Sequence, residues 1–294
     1  YSGKCFVHYG VFVPPLISIV IPAKDHPWAL DRCLNLIFTK TLYDPFEVIV
    51  LDNGSVPEET RNVLMSWKRK EHGRLKIIRP DVPCNFSRLI NEGVRQAQGS
   101  LIALLHDDVE ALSECWLAEM AGQARRQSIG AVGAFLFYSD RTIQHAGLIL
   151  GVAGPTGHGH RYAPENSPGY RGRLLVVSNY AAVTGACLMV KKQLFMDAGG
   201  LDEDLAAAYN DVDFCLRLLK MGYRNVVLPQ ARLLHHESRN RGSDGMGENR
   251  IRPDREAEII KKRWAALIEN DPYYNPNLTR DREDFTLGFF SPGP

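Results

Sequence analysis

The chain has 294 residues, 45% of them hydrophobic and 23% charged, enough apolar material for one large domain or two small ones. Its 35 basic and 34 acidic residues leave a formal net charge of +1, which offers no overall field to a polyanion and argues against nucleic acid as a partner. No stretch reaches the roughly 20 uninterrupted apolar residues of a bilayer span, and the apolar piece Phe12-Val13-Pro14-Pro15-Leu16 is split by prolines, so neither a span nor a signal peptide is expected.

The first residue is Tyr1 rather than Met, which leads us to expect a piece of a longer polypeptide. The six cysteines, Cys5, Cys33, Cys84, Cys115, Cys187 and Cys215, lie far apart with no C-x-x-C pair. They read as buried, reduced thiols of a cytosolic protein rather than disulfides or a zinc site.

Short Val-, Ile- and Leu-rich runs at 16–21, 46–51, 75–78 and 101–105 predict strands buried on both faces. Between them, 28–40, 57–71 and 86–98 carry apolar residues at three- and four-residue steps and predict helices. The first half therefore reads β-α-β-α-β-α-β, an α/β class with a Rossmann-like, mainly parallel central sheet, right-handed crossovers and helices on both faces. Such sheets bind ligands beyond the carboxyl ends of their strands. Those ends carry Lys24-Asp25, Asp52-Asn53-Gly54-Ser55 and His106-Asp107-Asp108.

The second half loses this rhythm. Strands are predicted at 129–138, 142–150 and 183–190, a helix at 212–221, and extended pieces at 225–228 and 232–235. The Gly-, Pro- and His-rich stretch 151–172 predicts a lid or binding loop. The change points to a mixed, acceptor-side half within one domain. A polar tail at 242–249 and a charged helix at 254–268 follow, the latter expected outside the core or against a neighbour.

Three clusters carry chemistry. In the first, Asp107 and Asp108 emerge from a buried strand, where a hard cation shared with phosphate oxygens would offset the cost of burying charge; a solvated loop with a helix N-cap is the plainer alternative. In the second, Tyr209-Asn210-Asp211-Val212-Asp213 opens a helix whose dipole stabilises acids at its start. Asp213 and Arg217 stand four apart and read as a structural ion pair, which leaves Asp211 freer to face a substrate. In the third, His235-His236 closes an extended segment, so only one of the two imidazoles can face a given site. Beyond it, Arg239 and Arg241 sit in a Gly-containing loop that could fold over a diphosphate.

Taken in order, Ile17-Ser18-Ile19-Val20-Ile21-Pro22, Val48-Ile49-Val50-Leu51-Asp52-Asn53-Gly54-Ser55, His106-Asp107-Asp108, Gly199-Gly200-Leu201-Asp202-Glu203 and Asn210-Asp211-Val212-Asp213 resemble the family 2 glycosyltransferases with the GT-A fold. The resemblance covers roughly residues 16–242 and looks most like bacterial enzymes that build O-antigen, capsule or other surface polysaccharide. The tail Asp271-Pro272-Tyr273-Tyr274-Asn275-Pro276-Asn277-Leu278 is also similar to that subgroup.

The resemblance implies an N-terminal extension at 1–15, a catalytic domain at 16–242 split into a nucleotide-sugar half (16–110) and an acceptor half (111–242), and a C-terminal extension at 243–294. It implies that Asp52 holds a nucleobase with Pro22, Ala23, Asp25 and Asn53 beside it, and that Asp107 lies on the nucleotide sugar. Asp108 would be the chief ligand of Mn²⁺ or Mg²⁺, with His106 standing where relatives have the first Asp of Asp-x-Asp. Asp211 matches the catalytic base, with Asn210 where many relatives have Glu. His235 matches an imidazole metal ligand, His236 is the fallback, and Arg88 and Asn91 are further donor-site candidates.

The expected activity is inverting, metal-dependent transfer of a hexosyl or deoxyhexosyl group from a nucleoside-diphosphate sugar to a hydroxyl of a glycan or lipid-linked acceptor. The expected setting is the cytoplasm, with peripheral contact at the inner face of the membrane or with neighbouring domains. The rival readings are a non-catalytic nucleotide- or sugar-binding scaffold and a nucleotidyltransferase. The turn Pro22-Ala23-Lys24-Asp25-His26-Pro27 lacks the Gly-rich phosphate loop that the second of these would bring.

Overall fold

The computed structural model describes residues 7–80, 85–236 and 248–288, with side chains from 254 onward in the last of these. Its regular half follows from sequence period. β1 (Ile17–Ala23), α1 (Pro27–Lys40), β2 (Phe46–Asp52), α2 (Glu58–Lys70), β3 (Leu75–Ile78), α3 (Phe86–Gln96) and β4 (Leu101–Leu105) alternate along the chain. Successive strand residues point to opposite faces, and both faces are covered. Val20, Ile49, Leu51, Ile102 and Leu104 pack in one apolar layer, whereas Ile19, Ile21, Val48, Val50, Ala103 and Leu105 pack in the other. In α1, Pro27 starts the helix where a missing N–H costs nothing. Its buried Leu30, Cys33, Leu34 and Ile37 repeat at helical spacing. Asn85 caps α3 by accepting the Arg88 N–H at 3.0 Å.

The remaining elements are β5 (Val109–Ala111), α4 (Trp116–Ala124), β6 (Ile129–Phe137), β7 (Ile143–His145), β8 (Leu148–Leu150), β9 (Thr156–His158), a 3₁₀ turn at Tyr170–Leu175, β10 (Ser178–Tyr180), β11 (Cys187–Lys191), α5 (Lys192–Asp197), α6 (Asn210–Lys220), β12 (Arg224–His235), α7 (Glu248–Arg263) and α8 (Ala265–Glu269). The main sheet runs β10-β12-β6-β11-β4-β1-β2-β3, with β5 on β12 and β7 on β6. β1, β2, β3 and β4 pair in parallel. β11 is antiparallel to both β4 and β6, whereas β12 is parallel to β6. The expected α/β class, with a parallel half and a mixed half, is what the chain adopts.

Several local expectations are corrected. The strand expected at 142–150 is two strands, because Gly147 turns at φ +113 with the Tyr180 ring packed where a side chain would stand. The pieces at 225–228 and 232–235 form one strand with an irregular register between Leu228 and Arg232, where Pro229 cannot donate to the ladder. The strand expected at 183–190 begins only at Cys187. The helix expected at 254–268 spans Glu248–Arg263 and resumes at Ala265 after Trp264. It packs onto the domain, burying Glu256 and Ile260. Cys33, Cys187 and Cys215 are buried free thiols, but Cys115 is exposed on the turn before Trp116, whose ring takes the buried side. Cys5 and Cys84 lie outside the described residues. No helix among the described residues is long and apolar enough to cross a membrane.

Candidate active site

β4 delivers His106, Asp107 and Asp108 at its carboxyl end, and β5 turns directly back to pair with β12. That register sets His235 opposite Val109, so its ring reaches back to Asp108. His235 Nε2 lies 3.2 Å from Asp108 Oδ1, and the His106 and His235 rings meet edge-on at 5.4 Å between centroids. One ligand atom each from His106, Asp108 and His235 falls within 4.8 Å of the others, a spacing that a single cation could bridge. Asp107 and Asp108 are both 9% exposed.

Strand alternation sends His236 to the other side, where its Nε2 meets Glu110 Oε1 at 2.6 Å and its Nδ1 meets Ser139 Oγ at 3.2 Å. Glu110 is also paired with Arg32. The fallback ligand His236 therefore belongs to a separate polar network. Behind His235, Gln144 Oε1 accepts from His235 Nδ1 at 2.7 Å. This assigns the imidazole proton to Nδ1 and turns the lone pair of Nε2 towards Asp108. Two imidazoles and a carboxylate form a donor set that suits a first-row transition ion such as Mn²⁺ better than Mg²⁺, which prefers oxygen alone.

Across the same cleft, of about 200 Å³, stands Asp211 in the first turn of α6. Tyr209 precedes the helix in the left-handed region at φ +57, a conformation costly for a residue with a side chain and held here by its surroundings. Asp211 Oδ2 accepts the Gly185 N–H at 2.7 Å and Oδ1 accepts the Val212 N–H at 2.8 Å. The Thr184 side chain also donates to this carboxylate. Burial pushes the Asp211 carboxyl above its ordinary range, while these N–H groups pull it back. A carboxylate made more basic by burial and held in place by fixed donors can take a proton from a hydroxyl.

Asp213, by contrast, is fully buried in the fold. It accepts from Arg217 Nε at 2.8 Å, Arg263 Nη1 at 2.8 Å and Trp264 Nε1 at 2.9 Å, so the expected pair with Arg217 is joined by two partners from the C-terminal segment.

Beyond the ends of β1 and β2, Asp52 is 4% exposed. It accepts the Ser55 N–H at 2.8 Å and faces Arg79 Nε at 3.4 Å. Pro22 and Ala23 lie opposite Leu51 and Asp52 in the sheet register, Asn53 N–H donates to Ala23 at 3.0 Å, and Asp25 accepts the Val56 N–H at 2.9 Å. These residues form one floor beyond β1 and β2. Arg88 lies 3.9 Å from Glu203 and is half exposed. Asn91 is turned away from that floor: its carboxamide accepts from Leu201 N–H at 2.8 Å and donates to Leu201 O at 2.9 Å and Glu203 at 3.2 Å, pinning the 199–203 turn. It lines a different, larger cleft of about 620 Å³, where Asp202 is tied to Arg263 at 2.5 Å. Arg239 and Arg241 lie outside the described residues.

Residues not singled out in the sequence complete the cleft. His158 and Arg161 come from the 151–172 stretch, and Thr184, Gly185 and Ala207 from the turns before β11 and α6. The stretch is not a free lid. His158 N–H and His160 N–H donate to Glu283, Leu150 N–H donates to Asp271, and Phe285 stacks on His160 at 4.1 Å. Glu256 of α7 accepts from Ala206, Ala207 and Ala208 N–H at 3.0, 3.2 and 2.6 Å, fixing the wall that leads into α6. The clustering of histidines in 151–172 was the only sequence signal for this wall; nothing local marked Gln144 or Glu256.

A family model described as glycosyl transferase family 2 matches residues 18–197. The chain is 39% identical over 260 residues to an N-acetylglucosaminyl-diphospho-decaprenol L-rhamnosyltransferase of Mycobacterium tuberculosis, covering 79% of this chain and 78% of that protein. It is 35% identical over 282 residues to the O-antigen biosynthesis protein RfbC of Myxococcus xanthus, covering 96% of this chain and 22% of that one. It also spans only 30% of a Sinorhizobium fredii protein to which it is 44% identical over 277 residues. Among solved structures, the mannosyltransferase PcManGT of Pyrobaculum calidifontis in complex with GDP-Man and Mn²⁺ superposes with a TM-score of 0.60 at 14% identity, over 87% of this chain and 76% of that one, a likeness of the GT-A fold. By the span of that model and the identity to a relative of similar length, the chain belongs to glycosyl transferase family 2.

Proposed function

We propose that the chain transfers a hexosyl or deoxyhexosyl group from a nucleoside-diphosphate sugar to a hydroxyl of a glycan or lipid-linked acceptor, with inversion, in the synthesis of a bacterial surface polysaccharide. The observation that carries this reading is the meeting of two chemistries in one cleft: the His106, Asp108 and His235 donor set and the basic carboxylate of Asp211.

Asp52 and the floor from Pro22 to Asp25 would hold the nucleobase end of the donor, with Asn53 at the rim and Asp107 beside the diphosphate. His106, Asp108 and His235 would hold Mn²⁺ in preference to Mg²⁺. When bound, such an ion offers Lewis-acid stabilisation to charge on a departing diphosphate. Gln144 holds His235 in the tautomer that leaves Nε2 able to ligate. Asp211 accepts the proton of the acceptor hydroxyl as that oxygen forms its bond to the anomeric carbon and the bond to the diphosphate oxygen breaks on the opposite face. The proton resides on Asp211, the electron pair leaves with the diphosphate, and the product configuration is inverted. Gly185 and Val212 N–H keep the carboxylate aimed throughout.

The test is thermal shift with UDP, GDP and dTDP, each with and without Mn²⁺, since a ligand that binds only the folded state raises its melting temperature. At least one nucleotide should stabilise the protein in a Mn²⁺-dependent way, and Asp108→Ala should abolish that response while leaving the unliganded melting temperature near wild type. A Mn²⁺-dependent response of wild-type size in Asp108→Ala would overturn the assignment.

A further inference from the structure

We infer that His158 donates a hydrogen bond to an oxygen of the transferred sugar, and that His145 sets it to do so from behind. The assignment rests on the glycosyl-transfer reading above and adds to it a residue that discriminates the sugar from the bare nucleotide.

The main-chain N–H of Thr184 can only donate, and it points at His145 Nε2 at 3.4 Å. That nitrogen therefore carries a lone pair. His145 is fully buried, and burial, with His158 and His235 nearby, holds its ring far below the ordinary imidazole value, so it is neutral. A neutral imidazole with a bare Nε2 has its one proton on Nδ1. His145 Nδ1 lies 3.1 Å from His158 Nδ1, and the rings meet at 83°, so the proton is donated and His158 Nδ1 accepts it. His158 is also neutral, held down to about 4 chiefly by burial. Its own proton must then sit on Nε2, the nitrogen turned away from His145. One backbone amide thus determines two tautomers in series.

His158 lines the cleft that also contains His106, His235 and Asp211. If the metal donor set marks the diphosphate and Asp211 the incoming hydroxyl, the reacting sugar occupies the space between them. An uncharged N–H suits a hydroxyl or ring oxygen rather than a phosphate, for which the cleft already offers Arg161. The neutral pair carries no charge into that space, and its orientation is settled before any ligand arrives.

Two measurements test this. Long-range ¹H–¹⁵N spectra of histidine-labelled protein at neutral pH should show His158 as the Nε2–H tautomer and His145 as the Nδ1–H tautomer, with His145→Phe releasing His158 into a mixture. Separately, binding of UDP-, GDP- and dTDP-sugars is compared with that of UDP, GDP and dTDP, all with Mn²⁺. His158→Phe, checked for a wild-type melting temperature, should lose about 10-fold in affinity for the nucleotide sugar, as for one neutral hydrogen bond, with the nucleoside diphosphate unchanged. His158→Gln, which keeps an N–H donor, should recover most of the loss. An Nδ1–H tautomer at His158, or a His158→Phe variant that weakens both ligands equally or neither, overturns the inference. Failure of the wild type to bind any nucleotide with Mn²⁺ overturns the glycosyl-transfer reading itself, and the sugar contact with it.

Discussion

The two halves of the sheet reach the cleft by different physics. In the half built from β1, β2, β3 and β4, parallel strands end where the apolar run ends, and the polar residues just beyond, Asp25, Asp52 and Asp108 among them, are functional candidates because ligands of such sheets bind outside the carboxyl ends of the strands. In the half built from β6, β11 and β12, each site residue is held by a partner distant in the chain: His235 by Gln144, Asp211 by Gly185, and the 206–208 wall by Glu256. The first half positions chemistry by local pattern, the second by long-range hydrogen bonds. Substitutions in the first should therefore remove a binding function outright, whereas those in the second should act in graded steps according to how directly each residue touches the reaction.

The sharpest form of the comparison lies within one helix turn. Asp211→Asn keeps the size of the side chain and one acceptor oxygen but cannot take a proton, and should reduce transfer by about 100- to 10,000-fold with Mn²⁺-dependent nucleotide affinity unchanged. Asp213→Asn should instead lower the melting temperature, because it disturbs a buried carboxylate shared by Arg217, Arg263 and Trp264. Steady-state transfer and thermal melts on both variants separate the roles. A fully active Asp211→Asn would remove Asp211 as the base.

A smaller effect is expected at the histidine pair. His235→Ala should weaken Mn²⁺ binding, followed by electron paramagnetic resonance of the free ion, by about 10- to 100-fold. Gln144→Leu should cost about 10-fold, since the ring is then no longer held in its ligating tautomer. His236→Ala, tied to Glu110 and Ser139, should leave Mn²⁺ affinity near wild type. If His236→Ala is the damaging change, the register of β12 on β5 does not govern the metal site as described.

The parallel half was legible in the sequence because a period-two burial pattern and helical spacing are local properties: Val20 and Ile19 fall on opposite faces because they are adjacent. The choice of His235 over His236 was legible only through the motif, and its reason, the pairing of Leu234 with Glu110 and of His235 with Val109, is a contact between segments more than a hundred residues apart. Asn91, expected at the donor site from its helix, has its carboxamide on the Gly200-Leu201 turn, a contact that no spacing rule could reveal. Glu256 was hidden for the same reason, in a charged helix whose polar face reads as solvent-facing until the backbone amides it satisfies are known.

Glu256 supplies the next test in order of size. Removing its carboxylate takes the acceptor from three backbone donors at Ala206, Ala207 and Ala208, which are only partly buried, so that water replaces it in part and the cost stays near that of an ordinary hydrogen bond, about 1 kcal/mol each. Glu256→Ala should lower the melting temperature and reduce transfer by about 10-fold through the 206–208 wall, with Mn²⁺-dependent nucleotide affinity unchanged. Glu256→Gln, with one acceptor oxygen, should fall between. Equal loss of nucleotide binding and transfer would show that α7 supports the whole fold rather than this wall.

The smallest effect concerns pH and distinguishes a buried imidazole from a surface one. His160 is 5% exposed, its Nε2 accepts the Tyr170 N–H at 2.9 Å, and burial, with Arg173 nearby, holds it down to about 4. Because the folded state binds its proton less readily than the unfolded chain, where imidazole titrates near 6.5, the stabilisation is present above about pH 6.5 and is lost as pH falls towards 4. At pH 5 the loss is roughly 2 kcal/mol, about 1.5 pH units at 1.36 kcal/mol each. His145 and His158 act in the same direction, whereas Asp211 and Asp271, raised by burial, act against it. Comparing wild type with His160→Phe in chelator isolates the one group, since the variant keeps the ring stacked against Phe285 but cannot titrate. The variant should be the less stable protein at pH 7.5, where it lacks the acceptor for Tyr170 N–H, and the gap in melting temperature should narrow or reverse by pH 5. A gap that stays constant across that range would mean His160 titrates as it does in the unfolded chain, and that the C-terminal segment carrying Phe285 does not seal the 151–172 wall from water.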